Sequence, residues 1–167
     1  MPTTPPPLFF DRLGLTFDLD VAAPPGGIEW VPAARYLTMA DDGLSAPWQG
    51  RVWMNPPYSK PAPWVARFVA HANGVCLLPF AKAAWFDRLW NAADAVVAPG
   101  VQSSKFVGGD IFMPVFAAAF GDDCVEALAR LGLDAVTNDT IDVVVGGLGL
   151  GHTARTALHD PRVRSLH

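Results

Sequence analysis

The sequence predicts an α/β protein whose sheet is largely parallel, and three observations lead to this prediction. Short apolar runs typical of buried strands alternate with amphipathic stretches of about ten residues that have helical spacing. Clusters of glycine and proline separate these segments along the chain. The 167 residues are 51% hydrophobic and 17% charged, a size and composition that suit one compact domain with a substantial core.

The chain begins with a proline-rich leader that runs into a short helix. Thr4 is the predicted N-cap of a helix over residues 8–13, and Pro5 occupies its first position. Residues 17–21 alternate apolar and acidic side chains, which is the pattern of a strand. After a region of small residues and turns, the apolar run 51–54 is the next predicted strand.

Helices and strands continue to alternate through the middle of the chain. Residues 63–73 are predicted to form a helix whose apolar side chains share one face. Asp122 caps a later helix over residues 122–131, which Gly132 ends. The remaining predicted elements are a helix around residues 85–90, strands over 75–78, 95–98 and 114–120, and a turn at Gly108 and Gly109.

Composition argues against several classes of protein. No apolar run approaches the roughly 20 residues that a membrane-spanning helix needs, and no basic segment of a signal peptide begins the chain. Cys76 and Cys124 lack the spacing of a redox or metal motif, so we expect reduced core residues of a cytosolic protein. The histidines are scattered along the chain, so no metal site is predicted.

Charge gives a weaker indication. The net charge of −4 argues against strong non-specific binding to nucleic acid. Residues 51–110 nevertheless hold 6 basic and 3 acidic side chains, which makes this part of the chain the positive one. That distribution is compatible with a phosphate-facing surface, and equally with a random scatter of charges.

Residues 55–58, Asn-Pro-Pro-Tyr, follow directly on the strand over 51–54 and form the most informative motif of the chain. The amide oxygen of Asn55 can accept a hydrogen bond from a planar amino group, and the two rigid prolines can aim a carbonyl at the same nitrogen. Tyr58 offers a flat face for a heterocycle. Two acceptors on one amino group draw its nitrogen towards sp3 geometry and free the lone pair for attack. The alternative is an extended turn that the prolines rigidify.

Asp20, Ala22 and Ala23 lie at the end of the strand predicted over 17–21. Ligands of a parallel sheet bind beyond the carboxyl ends of its strands. An acidic side chain at that place can accept from an ammonium group or a ribose hydroxyl, and small residues let a ligand approach the backbone. The alternative for Asp18 and Asp20 is an edge strand with a solvated acidic face.

Several sequence blocks, in order and at close spacing, resemble the phage-type DNA N-6-adenine methyltransferases, the Dam-like family of phages and prophages. The resemblance covers roughly residues 3–132 and is far more specific than the Asn-Pro-Pro-Tyr motif by itself. The strongest blocks are residues 4–9, 17–23, 35–38, 41–44 and 48–59, and the weaker ones are residues 77–79, 85–86, 106–109 and 114–116.

The resemblance implies a fold and a function. The fold is the compact Rossmann-like sheet of an S-adenosylmethionine-dependent methyltransferase, mostly parallel with an antiparallel edge strand. The function is methylation of a flipped adenine in double-stranded DNA, without a metal, in the cytoplasm of a bacterial host. Alternatives are a methyltransferase acting on RNA amines or protein glutamine, and a catalytically silent DNA-binding relative.

The resemblance also implies three sets of site residues. The catalytic set, which holds the flipped adenine, consists of Asn55, Pro56, Pro57 and Tyr58. The cofactor-binding set consists of Thr4, Pro5, Asp20, Ala22, Ala23 and Asp42. The set that contacts DNA or shapes the target pocket consists of Lys105, Phe106, Gly108 and Gly109.

The C-terminal part departs from the family pattern. The methyltransferase domain is predicted to span residues 1–132, and residues 133–167 to form an extension. Residues 142–151 predict a strand and a glycine-rich loop, followed by the start of a helix over 153–158; this faintly resembles the first strand–loop–helix of a spermidine-synthase-like methyltransferase fold. The segment is either the cofactor loop of a permuted methyltransferase, a remnant of a fused reading frame, or an extra unit packed on the edge. We favour the last two.

Overall fold

The computed structural model describes residues 4–97, 115–143 and 152–167. Within these ranges the chain forms five α-helices, seven strands and one turn of 3-10 helix, Met39–Asp41. The helices are α1 Pro7–Leu13, α2 Ala62–His71, α3 Ala84–Ala92, α4 Asp122–Asp134 and α5 His152–His159. The strands are β1 Leu19–Asp20, β2 Val52–Met54, β3 Gly74–Pro79, β4 Ala95–Val97, β5 Val115–Phe120, β6 Ile141–Val143 and β7 Val163–Leu166.

Five strands form the main sheet in the order β1-β2-β3-β5-β4. The β1–β2 and β2–β3 ladders are parallel and hold two and three residue pairs, whereas β5 is antiparallel to both its neighbours and pairs six residues with β3 and three with β4. The α/β class is confirmed, but the prediction of a mostly parallel sheet is not. The edge strand β4 does pair antiparallel, as predicted, but its partner β5 lies inside the sheet and is antiparallel to β3 as well.

Helices cover both faces of the sheet. Successive side chains of a strand point to opposite faces, and the strands carry apolar side chains on both, so each face has an apolar surface for helices to cover. On one face Trp53, Val75 and Ala117 contact apolar residues of α1 and α4. On the other face their chain neighbours, such as Met54 and Cys76, contact α2 and α3. Strands β3 and β5 are buried along their whole length, which explains their continuous apolar sequences.

Two helix ends differ from the prediction. Helix α1 begins at Pro7 with Pro6 as its N-cap, so Thr4 and Pro5 are not its cap and first residue. A residue that precedes proline is driven into extended conformation, and Pro6 has ψ of 159°, so the helix cannot start before Pro7.

Helix α4 begins after Gly121, which takes the N-cap position predicted for Asp122, and it continues past Gly132 to Asp134. A Cβ at Gly132 would make only ordinary contact with Val97 Cγ1, at 3.4 Å, and the glycine does not end the helix.

The C-terminal residues form a small separate sheet in which β6 and β7 pair in parallel. Helix α5 packs on α4 and buries Ala157, and Arg162 donates hydrogen bonds of 2.6 and 3.0 Å to the carbonyl oxygens of Val136 and Leu133 at the end of α4. The strand and helix predicted for this segment are therefore present. The glycine-rich loop between them, residues 144–151, lies outside the described residues.

Both cysteines are free and buried, as the sequence predicts. In the described part of the chain, no helix combines the length and the apolar character needed to cross a membrane. Across the same ranges, no group of three or more His, Cys, Asp or Glu side chains is arranged to hold a metal ion.

Candidate active site

The Asn-Pro-Pro-Tyr motif directly follows the last residue of β2, a strand that lies between β1 and β3. The Asn55 side chain is buried, with 5% of the residue exposed. Tyr58 donates a hydrogen bond from its hydroxyl to Asn55 Oδ1 over 3.1 Å. The structure thus places a buried amide oxygen and an aromatic ring side by side at the carboxyl end of a central strand.

The Tyr58 ring is partly buried and contacts the apolar clusters on both faces of the sheet. Burial raises the pKa of the Tyr58 hydroxyl well above its usual value, and the neighbouring Cys76 thiol raises that pKa further. The hydroxyl therefore remains protonated at any physiological pH and acts as a hydrogen-bond donor towards Asn55.

Asp20, the last residue of β1, is 5% exposed. Its Oδ1 accepts a hydrogen bond of 3.1 Å from the backbone N–H of Ala22. Burial raises the pKa of the Asp20 carboxyl to about 6, and the Ala22 N–H opposes part of this rise. A carboxyl group with this burial, at the end of a strand, is a strong candidate for a binding role.

Asp18 has a different environment from Asp20. It is exposed, and its Oδ2 accepts a hydrogen bond of 2.7 Å from the backbone N–H of Arg51, just before β2. Gly50, with φ of +70°, leaves room for this contact, since a Cβ there would lie 2.0 Å from Asp18 Oδ2. This hydrogen bond therefore links the residue just before β2 to the segment just before β1. The alternative of a solvated acidic face therefore fits Asp18, which is exposed, but not Asp20, which is buried.

A cavity of about 550 Å³ lies beside the carboxyl ends of β1 and β2. This volume is within the range of small-molecule sites. The cavity wall is mainly apolar and combines residues that follow β1, a turn near residue 42, the motif and α2. The residues that matter here are Ala22, Ala23, Asp42, Gly43, Pro57 and Trp64.

Two wall residues escaped the sequence-based site prediction. Gly43 touches the backbone so closely that a Cβ would lie 2.2 Å from the carbonyl oxygen of Val21. Trp64, predicted only as part of the apolar face of its helix, lines the cavity and stacks on Trp48 at 6.4 Å between ring centroids. Trp48 in turn donates from Nε1 to the carbonyl oxygen of Gly43 over 2.8 Å. A single glycine in a turn and a tryptophan on the apolar face of a helix occur in many structural settings. The sequence alone therefore does not indicate that these two residues line a cavity.

The structure brings together only part of the predicted cofactor set. Ala22, Ala23 and Asp42 line one cavity, and Asp42 Oδ2 accepts a hydrogen bond of 2.6 Å from the Ser45 hydroxyl. Asp20 is not among the residues that line the cavity, but it directly precedes one of them, Val21, in the chain. Of the four motif residues, Pro57 reaches the cavity.

The other predicted site residues lie elsewhere or are not described. Thr4 is buried, and the Pro5 carbonyl oxygen accepts a hydrogen bond of 2.9 Å from Trp30 Nε1; neither residue is among those that line the cavity. Lys105, Phe106, Gly108 and Gly109 lie outside the described residues.

A larger cavity, of about 760 Å³, lies between α4 and the C-terminal unit. Its wall mixes acidic and basic side chains, and Glu126 pairs there with Arg130 at 2.7 Å and with Arg155 at 3.8 Å. None of the predicted site residues lines it. Size alone therefore does not identify the functional site, and the smaller cavity next to the motif is the better candidate.

The part of the chain that contains this site is similar to known proteins. A family model described as DNA N-6-adenine-methyltransferase (Dam) matches residues 3–111. The DNA N-6-adenine-methyltransferase of Haemophilus phage HP1 (strain HP1c1) is 34% identical over 90 residues, which are 50% of this chain and 50% of that protein. The chain thus aligns with about half the length of this curated relative. No solved structure matches the chain.

The matched region includes β1, the turn at Asp42, the motif after β2 and the helices and strands up to β4. It covers well over half of the chain. On this basis, the protein belongs to the DNA N-6-adenine-methyltransferase (Dam) family.

Proposed function

We propose that the protein transfers a methyl group from S-adenosylmethionine to the exocyclic amino group of an adenine that is flipped out of double-stranded DNA. Membership of the Dam family supports adenine in DNA as the target. One structural observation carries the assignment of the site: the cavity that contains Ala22, Ala23 and Asp42 also contains Pro57 of the motif. A methyl donor in this cavity would lie next to the groups that grip the target amine.

The residues around the cavity suit S-adenosylmethionine. The ammonium group of its methionine part requires an acceptor with negative charge, and Asp20 is a buried carboxyl that directly precedes Val21 of the cavity wall in the chain. Asp42, which lines the cavity, would accept from a ribose hydroxyl, and Ala22 and Ala23 would allow close approach to the backbone. When bound, the cofactor supplies an electrophilic methyl group on a sulfonium centre.

The motif residues bind the adenine that accepts the methyl group. The amino group of adenine is out of reach inside a stacked duplex, so the base must leave the helix. Asn55 Oδ1 then accepts one hydrogen bond from the amino group, a backbone carbonyl of the prolines accepts another, and the Tyr58 ring stacks on the base. Attack of the amino nitrogen on the methyl carbon requires in-line orientation more than a base, and the surplus proton leaves the nitrogen to water.

The direct test is incubation with labelled S-adenosylmethionine and unmethylated DNA, followed by nucleoside analysis. We expect label on N6 of adenine, no label on DNA already methylated at N6, and none with Asn55→Ala. Label on cytosine, RNA or protein would assign a different acceptor. Cofactor binding without any transfer, or no cofactor binding, would indicate a silent relative.

We also propose a division of the chain and a location in the cell. Residues 1–132 would form the methyltransferase domain with a Rossmann-like arrangement, and residues 133–167 an extension, which is supported by the separate β6–β7 sheet. A phage-type enzyme that modifies DNA would act in the cytoplasm of the bacterial host.

A further inference from the structure

Three aromatic side chains form an exposed surface at the end of β3. Phe80, directly after β3, lies 5.9 Å from Phe86 of α3, and Phe86 stacks on Trp90 with 5.4 Å between ring centroids and 28° between planes. Phe80 and Trp90 are 37% and 47% exposed. We call Phe80, Phe86 and Trp90 the ring surface.

The ring surface has a rigid base. Phe80 and Phe86 each lie 5.2 Å from the ring of Phe116, a fully buried residue of β5. Next to Phe86 in the chain, Trp85 packs edge-on at 6.1 Å. Phe80 is tilted by 46° against Phe86 and by 49° against Trp90, so the three rings present a preformed apolar surface and not a single plane.

The ring surface lies at the same edge of the sheet as the Asn-Pro-Pro-Tyr motif. Strands β2 and β3 are parallel and pair Met54 with Cys76, so Asn55 is level with Leu77. Phe80 follows three residues later, which places it roughly 10 Å further out along the strand direction. The rings therefore lie beyond the same carboxyl end of the sheet as the motif.

The stretch of chain that carries the ring surface holds more basic than acidic side chains. Between Phe80 and Trp90 these are Lys82 and Arg88 against Asp87, in a protein whose net charge is −4. Lys82 and Arg88 belong to the same stretch as the rings and are exposed. Exposed cations in the same stretch as exposed aromatic rings match the two parts of a nucleotide, its phosphate and its base.

We propose that the ring surface binds DNA bases that become unstacked when the target adenine leaves the helix; the identity of this occupant rests on the proposed function. Lys82 and Arg88 contact the adjoining phosphates. Stacking on the rings compensates for the stacking that the neighbouring bases lose, and so favours the flipped state of the target. A second copy of the chain is the competing occupant of such a surface.

The test compares four proteins in titrations with a short mixed-sequence single strand and with its paired duplex: wild type, Trp90→Ala, Trp90→Phe and Leu158→Ala. Leu158 is an exposed apolar residue of α5 and serves as the matched control. We expect Trp90→Ala to weaken binding of the single strand by roughly 5- to 150-fold, the range for loss of stacking on one base, and to affect the duplex less. Trp90→Phe should bind within about threefold of wild type because it keeps a ring.

A further variant, Lys82→Gln, is expected to lower the slope of log affinity against log salt by about one. Equal affinities of wild type and Trp90→Ala for both probes would overturn the proposal. So would a wild-type dimer that Trp90→Ala converts to a monomer in sedimentation, because the rings would then face a second copy.

These results separate the two proposals. Methyl transfer to DNA by the wild type, with no effect of Trp90→Ala on DNA binding, rejects the ring surface and keeps the proposed function. Trp90-dependent binding of single strands without methyl transfer supports the ring surface and rejects the proposed function. Absence of both rejects both.

Discussion

The two buried polar residues of the site, Asn55 and Asp20, are held in different ways. Asn55 is neutral, and the hydroxyl of Tyr58 donates to its amide oxygen. Asp20 is a carboxyl group in a poorly solvated place, with the Ala22 N–H as a hydrogen-bond donor. Burying a neutral polar group that has a hydrogen-bond partner costs little free energy, whereas burying a charged group costs much more. Of these two residues, Asp20 is therefore the one whose burial destabilises the folded protein more.

Asp20→Asn should stabilise the protein and abolish its cofactor binding. The folded-state pKa of about 6 exceeds the 3.8 of an unperturbed aspartate, so folding favours the protonated form, and the stability from this effect is present below pH 3.8 and lost as pH rises towards 6. At pH 7.5 the charged group lowers the free energy of unfolding by up to ~3 kcal/mol, which the neutral amide avoids.

Urea unfolding at pH 4 and pH 7.5, together with calorimetric titration of S-adenosylmethionine, checks this prediction. The stability gain should be clear at pH 7.5 and small at pH 4. A gain that is the same at both pH values would contradict the ionisation argument. Retained cofactor affinity at pH 7.5 would contradict the role of Asp20 in binding.

Two substitutions of Tyr58 separate its ring from its hydroxyl. Tyr58→Ala removes the stacking face, and we expect methyl transfer to fall by roughly 5- to 150-fold. Tyr58→Phe keeps the face and removes only the donor to Asn55, so kcat/KM should fall by less than about tenfold. Single-turnover methylation assays give both values. Equal losses in the two variants would show that the hydroxyl, and not the ring, is the important part.

At the level of secondary-structure elements, the cavity depends on a close approach between the end of β1 and the turn before β2. The carbonyl oxygen of Val21 touches Gly43, and Trp48 and Trp64 back the turn. Arg67 of α2 lies over the Trp48 ring at 4.8 Å and donates to the carbonyl oxygen of Ala46. These contacts hold the turn that carries Asp42 against the residues that follow β1.

Gly43→Ala should therefore open the cavity. The added Cβ would meet Val21 O at 2.2 Å and Trp64 Cη2 at 2.9 Å, and the backbone oxygen cannot move without disturbing β1. Overpacking of this kind costs about 1–3 kcal/mol of unfolding free energy. We also expect weaker binding of S-adenosylmethionine, measured by calorimetry.

Gly132→Ala is the matched control for that substitution. Its Cβ would lie 3.4 Å from Val97, and alanine favours a helix interior over glycine by about 1 kcal/mol. Thermal unfolding should show Gly132→Ala near or above wild type and Gly43→Ala below it. The reverse order would exclude the close approach at Val21.

For the whole molecule, the main question is which of two segments holds the methyl donor. The described cavity favours the residues after β1, and the glycine-rich loop before α5 is the alternative. Asp20→Ala should abolish binding of S-adenosylmethionine, and Gly149→Val should leave it within about threefold of wild type, a difference of less than 1 kcal/mol. Loss of binding in Gly149→Val alone would identify a permuted methyltransferase.

Local features of the fold were predictable because they depend on short stretches of chain. The buried strands β3 and β5 follow from continuous apolar runs, and α2 and α3 from apolar spacing on one face. The start of α1 differs from the prediction because three consecutive prolines compete for the first helical position. The end of α4 differs because the helix continues through Gly132, where it packs on β4, a strand that is distant in sequence.

Residue types and their local spacing are enough to predict the chemical groups of the site: a rigid amide-and-ring motif at a strand end, an acidic strand end followed by small residues, and the blocks that indicate the family. The fold was needed to show that β5 runs antiparallel inside the sheet, that Asp20 is buried while Asp18 is not, and that Gly43 and Trp64 line a cavity together with Pro57. The reason is that strand order, desolvation and cavity walls arise from contacts between distant segments, which no local pattern encodes.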